Sequence, residues 1–354
     1  MIIKTEFSNI YISTDIRIVL DEILNEYRDR KIFVLVDENT KKYCLPLVES
    51  VIQSTNYKLV EIESGEQNKN IKTLAKVWQV FTENGADRSS SLINLGGGII
   101  GDLGGFAASA FKRGMDFINI PTTLLSQVDA SVGGKTGINF LGLKNEIGVF
   151  NHPKHVIIDS SFIKTLDKQN ILSGWAEMLK HSLISDEKDW KNLIVHDIKR
   201  TGFKELNKLI ARSISIKNSF VKEDPQEKRI RKALNFGHTF GHAFESLFMN
   251  TSNVILHGEA VAHGMICEVY LSNKICGFSE DKMNQVVRYL LHIYPKLNIS
   301  ELDFEKLFDL TRHDKKNEGV NINFTLLEDF GKIKINTNCT KEDIFETLNW
   351  YTTL

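Results

Sequence analysis

The sequence predicts an α/β N-terminal domain with a parallel sheet, followed by an all-α C-terminal domain. Three observations lead to this prediction. The first half alternates short apolar runs with helical patterns, which is typical of a parallel sheet covered by helices. The residues after Asp159 carry apolar positions at helical spacing almost without interruption. A glycine-rich run at residues 96–101 has the pattern of a sharp turn from a strand into a helix.

Short apolar runs in the first half predict the strands of the sheet. They are residues 31–36, 57–62, 91–95, 117–120 and 155–158. Helical patterns lie between several of these strands, at about residues 40–54, 70–85 and 99–112. Because strands and helices alternate in this order, we expect neighbouring strands to run parallel.

The second half predicts a series of amphipathic helices. They are residues 168–186, 188–196, 203–224, 232–248, 257–275, 280–295 and 303–312. The Asp224-Pro225 step ends one of them, because a residue before proline disfavours helical backbone. We therefore predict an α/β domain over residues 1–164 and an α-helical domain over residues 165–354.

The composition argues against several classes of partner. In 354 residues, 44 Lys and Arg balance 45 Asp and Glu, so the net charge of −1 gives no reason to expect nucleic acid or an anionic membrane. No apolar run reaches the roughly 18 residues of a membrane-spanning helix, and residues 1–6 lack a signal-peptide pattern. The four cysteines lack metal or disulfide spacing, which indicates reduced thiols in a cytoplasmic protein.

The glycine run is the most informative local feature of the chain. After the apolar residues 92–95, Gly96, Gly98 and Gly101 have the spacing G-x-G-x-x-G, which lets backbone approach a pyrophosphate at a helix N-terminus. A tight turn between a strand and a helix that binds no ligand has the same sequence pattern. Asp116 has the spacing of a ribose-binding acid but precedes its strand instead of ending it. The sequence therefore favours a variant dinucleotide-binding site.

The second half contains residues suited to a metal ion. Glu177 and Lys180 are three residues apart, and His238 and His242 are four apart, so each pair lies on one helix face. With His257, two histidines and one carboxylate would leave an open position, as in catalytic zinc sites. The alternatives are that Glu177 and Lys180 form an exposed ion pair, that His238 and His242 are core histidines, and that His257 caps a helix. Spacing does not choose between His238 and His242 as a ligand.

Lysines near glycines indicate an anion site. Lys135 follows Gly133-Gly134, and Lys144 follows Gly142 closely, an arrangement that suits a phosphate. Further cations in the second half are Lys217, Arg231, Lys315 and Lys316. Solvated surface charge is the alternative for each of them. The rest of a Walker A motif is missing around Lys135, which argues against a P-loop NTPase.

Together these residues resemble the 3-dehydroquinate synthase family. The matching runs are residues 96–102, 121–125, 128–136, 176–180, 234–242 and 314–316. They keep their order from about residue 30 to residue 330, and their combination is specific although no single run is. The resemblance implies a dehydroquinate synthase-like fold. The chain departs from the commonest family spelling at residues 137–139 and 151–153, which we interpret as loop variations.

The resemblance implies two cofactors. Zinc, with cobalt as an alternative metal, would bind Glu177, His238 and His257, and His242 would lie beside the substrate. NAD would occupy the variant dinucleotide site. Its predicted contacts are Asp37, Asn39, Glu66, Lys69, Gly97, Gly98, Ile99, Asp102, Thr122, Thr123, Asp129, Lys144, Phe162 and Thr165.

The resemblance also implies a sugar-phosphate substrate and a homodimer. The residues that would contact the substrate are Lys135, Asn145, Lys180, Lys217, Arg231, Asn235, His242 and one lysine of the 315–316 pair, for which we choose Lys315. Arg113 would reach the substrate from the neighbouring subunit.

The family converts 3-deoxy-D-arabino-heptulosonate 7-phosphate to 3-dehydroquinate and phosphate, a step of the shikimate pathway to aromatic amino acids. The reaction combines transient NAD-dependent oxidation, phosphate elimination, reduction and intramolecular aldol closure. A sedoheptulose 7-phosphate cyclase of the same fold is a rival, but such enzymes commonly carry a proline where this chain has Gly241-His242. A metal-dependent polyol dehydrogenase would not need the phosphate-binding cations. A non-catalytic nucleotide-binding relative would be favoured by loss of a metal ligand, and the implied ligands are all present in the sequence.

Overall fold

The computed structural model describes residues 1–249, 251, 253–312 and 322–354. Contacts group the chain into two compact units. Unit 1 comprises Met1–Gly174 and Thr201–Asn218, and unit 2 comprises Trp175–Arg200 and Ser219–Leu354. The domain division at residues 164 and 165 stays a prediction. None of the helices in the described ranges combines the length and the apolar character that crossing a membrane requires.

Unit 1 is built on a seven-stranded sheet in the order β1-β2-β9-β6-β5-β3-β4. The strands of unit 1 are β1 Ile2–Lys4, β2 Asn9–Ser13, β3 Ile32–Asp37, β4 Lys58–Ile62, β5 Ser91–Gly96, β6 Asp116–Pro121, β7 Lys135–Phe140, β8 Leu143–Phe150 and β9 His155–Asp159. Among these described strands, β1 and β2 pair antiparallel and the other neighbours in the sheet pair parallel. The predicted parallel sheet is therefore confirmed.

The sheet separates two apolar clusters. Alternate residues of β3 supply opposite faces, so Ile32 and Val34 enter one cluster while Phe33 and Leu35 enter the other. The helices of this half are α1 Ile16–Asn25, α2 Glu38–Tyr43, α3 Glu49–Ile52, α4 Ile71–Glu83 and α5 Gly98–Ala110. Because both sheet faces are covered, these strands read as nearly continuous apolar runs.

Two predicted segments of this half differ in the structure. The helix predicted at 40–54 is divided into α2 and α3 by a 3₁₀ turn at Leu45–Leu47, because Pro46 provides no backbone N–H. The segment interpreted as a loop variation at 137–139 lies in β7, which forms a hairpin with β8. Leu141 and Gly142 both have positive φ, as a two-residue type I′ turn requires.

The second half is mainly helical, which confirms the predicted fold class. Its helices are α6 Lys168–Leu183, α7 Glu187–Ile194, α8 Phe203–Glu223, α9 His238–Phe248, α10 His257–Cys276, α11 Glu280–Ile293, α12 Phe304–Arg312 and α13 Lys341–Thr353. Unit 2 also contains an antiparallel hairpin of β10 Ile322–Asp329 and β11 Lys332–Cys339, so "all-α" was too narrow. Exposed and less exposed residues alternate along β11, a period that is typical of a strand and not of a helix.

The helix predicted at 232–248 begins only at His238. Residues Ile230–Asn235 form a 3₁₀ helix instead, and Gly237 has a φ of +80°. A Cβ at Gly237 would lie 2.5 Å from Met265 Cγ. The interruption places His238 in the first turn of α9, next to the fully buried middle of α10.

Candidate functional site

The glycine turn joins β5 to α5 in unit 1. Gly96 ends β5, and a Cβ on it would lie 2.5 Å from Ile100 Cγ1, so this glycine is required by packing. Gly97 is the N-cap of α5 and Gly98 is the first helical residue. Because glycines have no side chain, they leave the backbone at this helix N-terminus accessible to an anion. The turn therefore has the local form that the dinucleotide fingerprint predicts.

The Lys69 side chain contacts two other residues that were predicted to bind ligands. Lys69 is 3% exposed, and its Nζ donates to Asp102 Oδ2 and Asn145 Oδ1 at 2.5 Å each. Burial raises the pKa of Asp102, although the Lys69 ammonium opposes that effect. The structure thus joins residues predicted to bind NAD with one predicted to bind the sugar phosphate.

Other predicted NAD contacts lie at the carboxyl ends of parallel strands. Asp37 ends β3 and caps α2, where its Oδ1 accepts from Thr40 N at 2.7 Å. Thr122 directly follows β6 and is buried, and Thr123 follows it. Ligands of open α/β sheets bind at this edge. Among the remaining predicted NAD contacts, Asn39 is exposed and Phe162 is fully buried. The partly exposed ones are Glu66, Ile99, Lys144 and Thr165.

Lys217 lies on α8 and is held by Asp129. Its Nζ donates to both the backbone oxygen and Oδ1 of Asp129 at 2.6 Å each. Both residues belong to unit 1, and Lys217 is buried. Lys135 opens β7 and is exposed, and Arg113 is exposed after α5 with a φ of +69°. The Lys217 ammonium is therefore a prearranged buried cation, whereas Lys135 and Arg113 extend toward solvent.

Unit 2 brings the predicted metal ligands together. Glu177 lies on α6, and Nε2 of His238 and of His257 are 3.6 and 3.7 Å from its Oε1. One ligand atom from each of these residues lies within 4.8 Å of the other two. Glu177 is 0% exposed, and its Oε1 accepts no hydrogen bond from the residues described. A buried carboxylate oxygen in that position is expensive unless a cation satisfies it, so this cluster fits a zinc ion.

The second ring nitrogen of each histidine contacts an oxygen. His238 Nδ1 is 3.2 Å from the Phe236 carbonyl oxygen, and His257 Nδ1 is 3.3 Å from Glu245 Oε2. When Nδ1 donates in this way, Nε2 keeps its lone pair for a metal. The His242 ring centroid lies 5.3 Å from that of His238, yet His242 is in neither of the two groups of possible metal ligands found among the described residues.

Two carboxylates that the sequence analysis did not select support these histidines. Besides Glu245, the buried Glu268 of α10 accepts from the backbone N–H groups of Gly237, Thr239 and Phe240 at 2.6–3.3 Å. It thereby caps the helix that starts at His238. In the sequence, Glu268 is indicated by its place between the apolar residues 265–267 and 269–271, and Glu245 by its position seven residues after His238 on the same face.

The predicted anion-binding residues of unit 2 are mostly buried. Lys180 is 1% exposed and forms an ion pair with Glu177, which excludes the exposed surface pair considered from the sequence. Arg231 is 2% exposed, and its Nη1 donates to the Pro225 carbonyl oxygen at 2.6 Å. Asn235 Nδ2 donates to a Glu227 oxygen at 2.9 Å. The predicted contact Lys315, and its neighbour at 316, lie outside the described residues.

Asp224 organises the loop that carries Arg231. Burial favours the neutral carboxyl, but backbone N–H bonds from Arg229, Lys228 and Arg231 outweigh it and lower the pKa of Asp224. The Asp224-Pro225 step, read from the sequence as a helix end, is therefore also the anchor of this loop.

Comparison with known proteins identifies the relatives of the chain. The sequence model of the 3-dehydroquinate synthase N-terminal family matches residues 59–173, and that of the C-terminal family matches residues 174–317. A 3-dehydroquinate synthase of Parabacteroides distasonis is 49% identical over 342 residues, covering 97% of each chain. One of Clostridium tetani is 38% identical and covers 96% of this chain and 91% of the relative.

Solved structures show the same fold at lower sequence identity. A 2-deoxy-scyllo-inosose synthase complexed with carbaglucose-6-phosphate, NAD⁺ and Co²⁺ has a TM-score of 0.87 at 23% identity, covering 98% of this chain and 99% of the other. Such a likeness supports the architecture only.

Proposed function

The chain belongs to the 3-dehydroquinate synthase family, and from that premise we propose that it converts 3-deoxy-D-arabino-heptulosonate 7-phosphate to 3-dehydroquinate and phosphate. The reaction class is that of a carbon–oxygen lyase that eliminates phosphate and closes a carbocycle. The observation that carries the proposal in the structure is the cluster of the buried Glu177 carboxylate with the partly exposed His238 and His257, and with Lys180 alongside. A metal site next to a buried ammonium suits a substrate that bears both an alcohol and an anionic group.

The two proposed cofactors divide between the units. The glycine turn and the residues around Lys69 would hold NAD, which supplies a reversible hydride acceptor when bound. Glu177, His238 and His257 would hold zinc, which supplies a Lewis acid for an alcohol oxygen. Relatives of the fold support this assignment, since a 2-epi-5-epi-valiolone synthase of Streptomyces hygroscopicus was solved with NAD⁺ and Zn²⁺ bound.

The side chains of this protein would mainly position the substrate and compensate its charge. The buried ammonium groups of Lys180 and Lys217 are already desolvated, so they bind an anion without losing much further hydration. Arg231 offers a planar guanidinium that suits a phosphate. His242 is next to the metal-ligand histidines and would hydrogen bond to the substrate or hold a proton beside it. Burial around Glu177 excludes water from the reacting groups.

The test is phosphate release by the purified protein with NAD⁺ and zinc. We expect phosphate to appear from 3-deoxy-D-arabino-heptulosonate 7-phosphate while reduced-nicotinamide absorbance stays flat, because the hydride leaves and returns within one turnover. Sedoheptulose 7-phosphate and glycerol serve as rival substrates. Faster turnover of sedoheptulose 7-phosphate would indicate a different cyclase, and NADH accumulating with glycerol would indicate a polyol dehydrogenase.

We further propose a homodimer in which Arg113 reaches the neighbouring site, in a cytoplasmic enzyme. Support for the first point is that Arg113 is exposed and held in an unusual backbone conformation, with a φ of +69°. All four cysteines are free thiols, which suits a reducing compartment. Mixing an Arg113→Ala variant with a Glu177→Gln variant tests the dimer. Activity recovered in the mixture would indicate shared sites, and the two inactive proteins staying inactive would contradict them.

A further inference from the structure

Asn139 belongs to none of the predicted sets, yet it contacts three of their members. Its Nδ2 donates to Glu66 Oε1 at 2.8 Å and to the Glu66 backbone oxygen at 3.2 Å. Its Oδ1 accepts from the Asn145 backbone N–H at 2.8 Å. Its own backbone N–H donates to the Lys69 carbonyl oxygen at 2.8 Å. One amide side chain and one peptide group therefore join three separate positions of unit 1.

The hairpin is irregular at this residue. The register of β7 and β8 shifts between Ile138 and Phe140, so residues 144–146 of β8 lie opposite Asn139 alone. Asn145, in the middle of this bulge, has a φ of +53°, in the left-handed region that few non-glycine residues adopt. Bulges commonly redirect side chains beside functional sites. The hydrogen bond from Asn145 N–H to Asn139 stabilises this unfavourable backbone.

Lys69 completes the arrangement from the other side. Its Nζ donates to Asn145 Oδ1 as well as to Asp102 Oδ2. Asn145 is thus held at its backbone by Asn139 and at its side chain by Lys69. The segment that carries Glu66 and Lys69 is in turn held by Asn139. A change at Asn139 is transmitted to both groups of contacts.

We propose that Asn139 is a positioning residue that fixes the Glu66–Lys69 segment, predicted to bind NAD, against Asn145, predicted to bind the sugar phosphate. The identity of the two ligands rests on the proposed function, whereas the connection itself rests on the contacts of unit 1. Its consequence is that a single residue, which touches neither ligand, sets the affinity for both.

The experiment replaces the Asn139 amide by a carboxylate. The Asn139→Asp variant keeps an acceptor for Asn145 N–H but places one carboxylate against that of Glu66. We expect the dissociation constant for NAD⁺ and the KM for the heptulosonate phosphate each to rise roughly tenfold or more, with a smaller change in kcat. Adding Glu66→Gln provides a donor to the new carboxylate, so the double variant should lose less than the two single changes combined.

Asn84→Asp is the matched control. It adds the same charge in unit 1 and removes a similar bond, from Nδ2 to the Val80 carbonyl oxygen at 2.9 Å. Hydrogen exchange of the Asn145 amide gives a readout that needs no ligand, and it should become faster in Asn139→Asp only. Unchanged exchange, or ligand constants equal to those of the control, would overturn the positioning role. If the unaltered protein fails to bind NAD⁺, the proposed function fails and the assignment of ligands to this connection is overturned with it.

Discussion

The two units hold their predicted functional residues by different means. In unit 1 the glycine turn offers backbone groups, and several side chains around it are partly exposed, including Asp37 and Glu66. In unit 2, Glu177 and Lys180 are 0% and 1% exposed, and they lie on a helix inside the core. A ligand site made from backbone at a strand end loses little stability when a side chain changes. A site made from buried charges is also part of the core, so function and folding are affected together.

The largest expected effect is the loss of metal and turnover in Glu177→Gln. A neutral amide removes the negative charge that Lys180 and a cation both need, while its shape is nearly the same. Zinc content by elemental analysis, phosphate release for turnover and circular dichroism for the fold check this prediction.

Glu187→Gln is the control for that change, since Glu187 lies on α7 of the same unit and its side chain is 42% exposed. Full zinc occupancy in Glu177→Gln would remove Glu177 from the ligand set.

A somewhat smaller effect is expected on stability in Glu268→Ala. Three backbone N–H groups at the start of α9 lose a buried carboxylate, which should lower the free energy of unfolding by about 3–5 kcal/mol. Urea unfolding measures the change. Glu305→Ala breaks only an exposed pair with Lys341 and should cost less than about 1 kcal/mol. Equal costs for the two variants would show that Glu268 is not a structural cap.

Glu245→Gln should weaken zinc binding without abolishing it. Glu245 accepts from His257 Nδ1, and such partners of metal ligands are typically worth about tenfold to a hundredfold in affinity. Competition with a chromophoric chelator gives the constant. Glu280→Gln, at the exposed start of α11 in the same unit, is the control. If Glu245→Gln binds zinc as tightly as that control, Glu245 does not orient the histidine.

Acid should destabilise unit 2 through a buried histidine. Burial lowers the pKa of His263 to about 3, so the unfolded chain takes up this proton first as the pH falls below the ordinary value of 6.5. Stability attributable to this group is therefore present above pH 6.5 and falls progressively toward pH 3, by about 2 kcal/mol at pH 5. His263→Gln should reduce the slope of unfolding free energy against pH.

His155 of unit 1 is the comparison for that slope. Burial lowers its pKa as well, but Glu26 and Asp116 favour its charged form. His155→Gln should therefore change the slope less than His263→Gln. The reverse order in pH-dependent urea unfolding would contradict the contrast between the units.

The smallest expected effects concern the glycine turn. Gly96→Ala places a Cβ 2.5 Å from Ile100 Cγ1, so it should destabilise by about 1–3 kcal/mol. Gly101→Ala meets no described atom within 4 Å of its Cβ and lies inside α5, so it should stabilise by about 0.5–1 kcal/mol. Thermal unfolding of both variants checks the pair. Destabilisation by Gly101→Ala would mean that the third fingerprint glycine has a packing role.

The sequence by itself determined the alternation of strands and helices and the candidates for chemistry. Patterns with a short period are local, so buried strands such as β5 and amphipathic helices such as α4 were predictable within a residue or two. The glycine turn was equally visible, because a tight βα connection needs residues without side chains at fixed spacing. Glu177, Lys180 and the pair His238 and His242 were identifiable because their spacing places each pair on one helix face.

Only the tertiary structure decided how these candidates associate. Spacing left His238 and His242 equivalent, and only the family resemblance favoured His238. In the structure His238 lies close to Glu177, some 60 residues away in the chain, in a group that could hold a metal ion. Local sequence patterns also gave little indication of the roles of Asn139 and Glu268, because their partners are distant in the chain. Each acts through hydrogen bonds to residues distant in sequence, and such contacts depend on packing and on a bulge or a positive φ that no local pattern encodes.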